Sequence, residues 1–265
     1  MIEYYKLYLP KSRKEIKLEI SIPRDYDNNT RFDTLYLLDG QNAFKDSHAT
    51  YHRSIRATKY MGYMAAVTGN RMIGVAVYNA GSEMGRINEY TPFPIKQAAD
   101  EQWHHHNVKI CHAFCDDFIH VIIPYIDQKY PTVKKEDHRF IYGSSLAAIT
   151  AIYLGYQYPK TFGGIGAFST ACFLCPEEIK KFLNKKIDPS VKLFLYVGRK
   201  EISDNSFDAT LYYESSLSLY HYCNKHGANV RLVVSENGTH CEACWEKQLL
   251  DFFSFLYSDQ ILYHL

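Results

Sequence analysis

Residues 139–148 read RFIYGSSLAA and join a short apolar run to a segment typical of a buried helix. Two adjacent serines, Ser144 and Ser145, lie at the junction. A strand-to-helix turn sharp enough to present a catalytic serine needs small residues two positions before and two positions after that serine. Ser145 has Gly143 and Ala147 at these positions, whereas Ser144 would have a tyrosine and a leucine there. The spacing therefore selects Ser145 as the candidate nucleophile.

The same serines have a simpler interpretation as a helix cap, because serine is common at helix N-termini. A short turn motif leaves both alternatives open, since such motifs also occur by chance. The choice depends on whether the rest of the chain supplies a base and an acid in the expected places.

Composition limits the classes of protein to which the chain can belong. It has 265 residues, 46% of them hydrophobic, and a formal net charge of +1, which is consistent with one α/β domain over residues 1–265. The balanced charge gives no reason to expect nucleic acid as a partner. No signal peptide and no apolar run of about 20 residues is evident, so we expect a cytoplasmic protein with reduced thiols and no membrane partner. The sequence leaves the oligomeric state open, and a homo-oligomer is one of the alternatives.

Strand and helix patterns alternate along the chain, which predicts an α/β fold with a mostly parallel sheet and helices on both faces. The segment at 16–23 alternates apolar and polar residues, as a half-buried edge strand does, whereas DTLYLLDG (33–40) is apolar enough to be covered on both faces. The other predicted strands are 71–79, 139–143, 163–169, 191–198 and 229–236, and the predicted helices are 44–66, 108–130, 145–159, 206–226 and 242–257.

Two later strands end beside residues that can complete a hydrolytic site. VKLFLYVG (191–198) is followed by Glu201 and Asp204, and NVRLVVSE (229–236) is followed by His240. Nucleophile, acid and histidine therefore occur in the chain order of a serine hydrolase with this layering, each after a strand. This order favours the catalytic interpretation over a helix cap.

The chemistry assigns a role to each group. Ser145 would attack an ester carbonyl, His240 would accept its proton, and Glu201 or Asp204 would orient the imidazole. The backbone N–H of Leu146, directly after the nucleophile, would bind the oxyanion. A second donor must come from the loop after an earlier strand, and the segment containing Gln41 is the best placed.

With these residues in place, the sequence resembles the putative esterase family of α/β hydrolases. That family includes enterochelin-esterase-like, feruloyl-esterase-like and S-formylglutathione-hydrolase-like enzymes as well as mycolyltransferases. The matching segments follow the order of the family along most of the chain. They are LYLLDGQNAF (35–44), RINEYTPF (86–93), IYGSSLAA (141–148), YPKTFGGIGAFS (158–169), VGRKE (197–201) and GTHCEACW (238–245).

The resemblance implies Gln41 and Leu146 as oxyanion donors and favours Glu201 over Asp204 as the acid. The paired alanines at 147–148 depart from the glycines usual in the family, which predicts slower catalysis. We expect a small-molecule ester as substrate and no cofactor.

Three further residues are expected to contact the substrate. Arg86 and Tyr90 are placed on a loop that lines the acyl or alcohol pocket, and Trp103 belongs to the segment EQWHHH (101–106), which is expected to form part of a lid. An exposed polar loop is the alternative for that segment.

Cysteines suggest a different kind of site. Cys172 and Cys175 form one C-x-x-C motif, Cys241 and Cys244 form another, and three histidines occupy 104–106. The separation of the two motifs is far greater than in structural zinc sites, so we expect incidental thiols and no metal. The leading functional hypothesis is a serine carboxylic-ester hydrolase that forms an acyl-enzyme. The alternatives are an acyltransferase with the same site and a non-catalytic or metal-binding protein.

Overall fold

The strand predicted at RFIYG lies within an eight-stranded sheet. The computed structural model of the protein describes residues 1–27, 29–96, 101–201 and 208–258. Within these ranges the strand order is β1-β2-β4-β3-β5-β6-β7-β8. Strand β2 runs antiparallel to both of its neighbours, and all other pairs are parallel. The strands are β1 (Ile2–Leu9), β2 (Lys14–Ser21), β3 (Asp33–Leu38), β4 (Met72–Val77), β5 (Arg139–Ser144), β6 (Gly164–Phe168), β7 (Lys192–Gly198) and β8 (Asn229–Ser235).

Helices cover both faces of this sheet, as the alternating pattern predicts. In the described ranges they are α1 (Ala57–Thr68), α2 (Glu83–Tyr90), α3 (Val108–Asp117), α4 (Ile123–Lys129), α5 (Leu146–Gln157), α6 (Pro176–Lys186), α7 (Ala209–Lys225), α8 (Glu242–Glu246) and α9 (Leu249–Leu256). Short 3₁₀ turns occupy Gly40–Asn42, Glu101–His105, Glu136–His138 and Cys172–Leu174. The predicted α/β architecture is therefore confirmed. Among the described residues, no helix has both the length and the apolar composition needed to cross a membrane.

Strand β3 shows why a continuous apolar run is needed at the centre of the sheet. All six of its residues are buried. Tyr36 and Leu38 belong to one hydrophobic core, which includes residues of α3 and α5. Leu35 and Leu37 belong to a second core on the opposite face, which includes residues of α1 and α9. Successive side chains of a strand point to opposite faces, so one apolar run supplies both cores.

Three sequence predictions need correction. The edge strand is β1, which the sequence analysis missed, and β2 lies inside it because it pairs with both β1 and β4. Residues 83–90 form helix α2, whereas a loop was predicted there. The predicted helix at 108–130 consists of α3 and α4 separated by a π-helical turn at Phe118–Ile122.

The parallel strands place their carboxyl ends along one edge of the sheet. The segment after β3 contains Gln41, the turn after β5 contains Ser145, and the loops after β7 and β8 contain Glu201 and His240. Loops at this edge are where α/β folds bind ligands.

Candidate active site

Ser145 has a strained backbone at the turn between β5 and α5. Its φ is 58° and its ψ is −124°, a conformation that is rare for a residue with a side chain. The Ser145 N–H donates a hydrogen bond to the Phe168 carbonyl at 2.9 Å, and its carbonyl accepts one from the Ala171 N–H at 3.3 Å. These long-range bonds hold the turn in its strained form.

The helix-cap alternative does not describe this serine. Ser145 occupies the N-cap position, but its side chain accepts no capping hydrogen bond from α5, a helix that is described throughout. The side chain is instead partly exposed and lines a cleft. Ser144 is the last residue of β5, lines the same cleft and has 7% of its surface exposed.

Gly143 shows the physical basis of the small-residue rule. A Cβ atom placed on Gly143 would lie 2.3 Å from the Ala147 carbonyl oxygen, because the first turn of α5 passes directly over the strand. Ala147 itself is fully buried, so a methyl group is accommodated at this position. The alanine that replaces a family glycine is therefore compatible with the turn.

Substitution Gly143→Ala should destabilise the protein because the added methyl group meets backbone atoms that cannot move away without opening the turn. We expect a loss of about 1–3 kcal/mol in the free energy of unfolding. Urea denaturation measures this change. The control is Gly62→Ala in α1, where an added Cβ contacts nothing within 4 Å. This control should stabilise the protein by up to about 1 kcal/mol, because alanine favours a helix over glycine.

The loops after β7 and β8 are hydrogen bonded to each other. The Arg199 N–H donates to the Ser235 carbonyl and the Lys200 N–H to the Gly238 carbonyl, each at 2.9 Å. This pairing brings Glu201, which is fully buried, to the partly exposed His240. Their contact joins His240 Nδ1 and Glu201 Oε2 at 2.7 Å. A carboxylate at Nδ1 leaves Nε2 of the imidazole as the nitrogen that can accept a proton.

Sequence analysis missed the residue that fixes the other side of the Glu201 carboxylate. Oε1 accepts hydrogen bonds from the Gly198 N–H at 2.6 Å and from Ser169 Oγ at 2.7 Å. Ser169 is fully buried, and its hydroxyl accepts a bond from Trp245 Nε1 at 2.8 Å. Two donors on the same oxygen hold the carboxylate in one orientation. The only sequence signal for Ser169 was its place at the end of the predicted strand 163–169.

Replacement Ser169→Ala should lower kcat about tenfold with little change in KM, because it removes one of the donors that orient Glu201. A role in stability alone would lower kcat by the same factor in the wild type and in Glu201→Gln. We therefore expect the loss to disappear when Ser169→Ala is combined with Glu201→Gln. Steady-state kinetics of the four proteins in this double-mutant cycle measures the coupling. Equal losses in both backgrounds would contradict a role through Glu201.

The two predicted oxyanion donors follow β3 and β5 in the chain. Gln41 lies in the 3₁₀ turn after β3, and Leu146 is the first residue of α5. Both residues line the cleft. No acceptor among the described residues takes a hydrogen bond from either backbone N–H. Free N–H groups at such positions can stabilise the negative oxygen of a tetrahedral intermediate.

Asp39, which sequence analysis did not single out, supports the turn that carries Gln41. Its φ is 52°, and its carboxylate accepts bonds from Arg86 Nη2 at 2.6 Å and from Asn79 Nδ2 at 2.7 Å. Burial alone would lower the pKa of Arg86, but the charge of Asp39 raises it above its usual value. Arg86 therefore lines the cleft as a fixed cation.

Tyr90 differs from its expected role. It is fully buried, and its hydroxyl accepts a hydrogen bond from the Asp39 N–H at 3.0 Å. It is not among the residues that line the cleft, and its bond to the Asp39 N–H makes it a support for Asp39. Trp103 does line the cleft, and only 6% of its surface is exposed.

The cleft has a volume of about 1230 Å³ and contains Ser145 and His240 together. Its walls include Phe173 and Tyr212, and the Tyr212 ring lies against the His240 ring with centroids 4.4 Å apart. Glu242 also faces the cleft, and burial raises the pKa of its carboxyl. No sequence signal indicated Tyr212, because its contact with His240 depends on the packing of α7.

The remaining sequence candidates are the alternative acid and the histidine run. Asp204, the alternative acid, falls outside the described residues. Nε2 of His106 lies 2.9 Å from the Phe93 carbonyl oxygen and Nδ1 lies 3.0 Å from that of Trp103, so the ring nitrogen that carries the proton ties this segment to the chain. The described parts of the chain contain no cluster of three or more histidine, cysteine or acidic side chains that could hold a metal ion.

The chain is similar to known proteins in sequence and in fold. A family model described as putative esterase matches residues 11–256. Among curated proteins, none matches this sequence.

Solved structures share the fold at low sequence identity. The enterobactin esterase of Shigella flexneri is 13% identical with a TM-score of 0.73, and the match covers 97% of this chain and 59% of that one. An IroE-like serine hydrolase from Shewanella oneidensis is 17% identical with a TM-score of 0.75, over 98% and 81% of the two chains. A ferulic acid esterase from Anaeromyces mucronatus is 18% identical with a TM-score of 0.68, over 95% and 88%. The chain thus spans about three-fifths of the length of the Shigella enzyme.

Proposed function

The chain belongs to the putative esterase family, and on this premise we propose that it is a serine carboxylic-ester hydrolase that forms an acyl-enzyme on Ser145. The observation that carries the proposal is the bond between the buried Glu201 and the partly exposed His240, which lines the same cleft as Ser145 on its strained turn. We further propose that it acts in the cytoplasm on a small-molecule ester.

The first half of the reaction forms the acyl-enzyme. Ser145 Oγ attacks the ester carbonyl while Nε2 of His240 takes its proton. The carbonyl oxygen becomes negative and accepts hydrogen bonds from the N–H groups of Gln41 and Leu146. The tetrahedral intermediate then collapses, and the imidazolium gives its proton to the departing alcohol. Glu201 stabilises the imidazolium throughout without taking the proton.

The second half returns the enzyme to its starting state. His240 takes a proton from water, and the resulting hydroxide attacks the acyl group on Ser145. The same backbone donors stabilise the second intermediate. The bond to Ser145 Oγ then breaks, the serine regains its proton from His240, and the carboxylic acid leaves the cleft.

The cleft walls favour esters that carry an aromatic ring. Trp103, Phe173 and Tyr212 line the cleft, and flat apolar faces of this kind stack well on aromatic rings. Arg86 adds a fixed cation for a polar or negative substituent. The solved relatives named ferulic acid esterase and enterobactin esterase support the same substrate class.

A panel of esters tests this function. Methyl esters of hydroxycinnamic and dihydroxybenzoic acids should show a higher kcat/KM than methyl acetate or methyl butyrate. Each reaction is repeated with a primary alcohol present, because an acyltransferase would form the new ester in preference to the free acid. Hydrolysis of no member of the panel, or transfer that exceeds hydrolysis, would contradict the proposal.

A further inference from the structure

The seven cysteines fall into two groups by exposure. All are free thiols. Only Cys241 and Cys244 are partly exposed, and they follow directly after His240. The other five are buried in the core, namely Cys111, Cys115, Cys172, Cys175 and Cys223.

The two partly exposed sulfurs converge on one hydroxyl group. Thr239 Oγ1 lies 3.3 Å from Cys241 Sγ and 3.4 Å from Cys244 Sγ. The Cys244 N–H donates to the Cys241 carbonyl at 3.1 Å, which closes a tight turn. Residues at the ends of such a turn have Cα atoms less than about 7 Å apart. A disulfide bridges Cα atoms about 4.4–6.8 Å apart, so this turn can accept one without a large backbone change.

The surroundings of Cys244 also favour a reactive thiolate. Partial burial alone would raise its pKa, but hydrogen bonds from the Thr239 hydroxyl and backbone N–H bring the pKa below its usual value. The N–H bond measures 3.3 Å. Thiolates, not thiols, attack disulfides, so a lowered pKa increases the reactive fraction near neutral pH.

We propose that Cys241 and Cys244 form a redox-active dithiol, which small disulfides oxidise to an intramolecular disulfide that slows the reaction at His240. The effect on the reaction rests on the proposed esterase function, whereas formation of the disulfide does not.

The oxidation is a balanced two-electron exchange. The Cys244 thiolate attacks one sulfur of a small disulfide, such as glutathione disulfide, and the first glutathione leaves as a thiolate that takes up a proton. The deprotonated Cys241 sulfur then attacks Cys244 Sγ and displaces the second glutathione in the same way. Two protein thiols and one small disulfide thus become one protein disulfide and two small thiols. The protein loses two electrons, and the reagent gains them.

The link to catalysis is the loop that carries His240. Thr239 precedes the histidine, Cys241 follows it, and Thr239 is tied to Cys244 through its N–H and hydroxyl. When the sulfurs move together to bond, these contacts change and the loop shifts. A displacement of about 1 Å in a catalytic group lowers turnover by as much as ~10²-fold.

The other C-x-x-C motif is a natural control. The Cys175 N–H donates to the Cys172 carbonyl at 3.1 Å, so this turn has the same hydrogen bond. Both residues are buried, with 3% and 2% of their surfaces exposed. Burial raises the pKa of Cys172 to about 11 and that of Cys175 well above its usual value. If the spacing of the cysteines alone decided their reactivity, both motifs would be oxidised. If exposure to the reagent decides it, only Cys241 and Cys244 will be oxidised.

The experiment treats the folded protein with glutathione disulfide and maps its disulfides by peptide mass spectrometry. We expect a bond between Cys241 and Cys244, reduced thiols at Cys172 and Cys175, and a loss of about ten- to a hundredfold in kcat/KM that dithiothreitol reverses. Cys244→Ser should hydrolyse the best ester of the panel as the reduced wild type does. It should form no intramolecular disulfide and keep most of its activity after treatment.

Each other outcome contradicts part of the proposal. Free thiols, or separate glutathione adducts on Cys241 and Cys244, would contradict the dithiol site, as would a bond between Cys172 and Cys175 instead. A Cys241–Cys244 disulfide without change in activity would contradict the effect on His240. Untreated protein that hydrolyses no ester would contradict the esterase function, while the mapping would still decide whether the disulfide forms.

Discussion

Ser145→Ala is expected to lower kcat for ester hydrolysis by about 10⁴–10⁶-fold, because no other group replaces the attacking oxygen. The strained turn places this side chain in the cleft, and alanine keeps a Cβ of the same geometry. The free energy of unfolding should therefore change little. Steady-state kinetics with the best ester of the panel, together with thermal unfolding, measures both quantities.

The adjacent serine provides the matched control. Ser144 lines the same cleft but ends β5 with an ordinary strand conformation, so Ser144→Ala should retain most of the wild-type kcat. Equal losses of kcat in the two variants would contradict the selection of Ser145 over Ser144 on the basis of its small neighbours. Activity that survives Ser145→Ala would show that another residue attacks the ester.

Glu201→Gln is expected to lower kcat by about 10³–10⁴-fold. The amide is nearly the same size as the carboxylate, but it carries no charge to stabilise the imidazolium. If its NH₂ group faces His240, it also favours the wrong tautomer of the ring. Because Glu201 is fully buried, water cannot replace the lost charge. KM should change far less than kcat, since the carboxylate is behind the histidine and not in the substrate pocket.

Glu236→Gln on the neighbouring loop is the control for this substitution. Glu236 pairs with Arg199 across the same two loops at 2.8 Å, but its side chain is 74% exposed. An exposed ion pair contributes about 0–1 kcal/mol, so kcat should stay near the wild-type value. Wild-type turnover in Glu201→Gln, with a large loss in Asp204→Asn, would assign the acid to the alternative residue.

Local patterns in the sequence account for the parts of the site that follow from strand order. Ser145 was selected because packing of a helix over a strand end demands small neighbours, and the contact between Gly143 and Ala147 is that packing. His240, and Glu201 together with Asp204, were selected because each follows an apolar run that forms a strand, while the preference for Glu201 came from the family resemblance. Both selections use information within a few residues of the candidate.

Local patterns could not identify residues that act through contacts with residues far away in the sequence. Ser169 becomes meaningful only through its bonds to Glu201, 32 positions away, and to Trp245, 76 positions away. Helix α2 was predicted as a loop because EMGRINEY contains a glycine and is too short to form a helix from local preference alone. The salt bridge from Arg86 to Asp39 and the cap at Ser82 stabilise it in the folded protein.

Strand β1 was missed for a related reason. Its burial alternates regularly, but Tyr4 and Tyr8 stand at exposed positions, so large aromatic residues occupy the outer face as well as the inner one. The hydrophobic period that marks a half-buried strand is therefore faint. Pairing along the whole length of β2 places this strand in the sheet, and Tyr5, Leu7 and Leu9 pack against the core.

The most direct test of the account is covalent labelling with a fluorophosphonate, which reacts only with an activated serine hydroxyl. We predict one phosphonyl group per chain, located on Ser145 by peptide mass spectrometry, absent in Ser145→Ala and retained in Ser144→Ala. A label on Ser144, or no label on a protein that hydrolyses esters, would contradict Ser145 as the nucleophile.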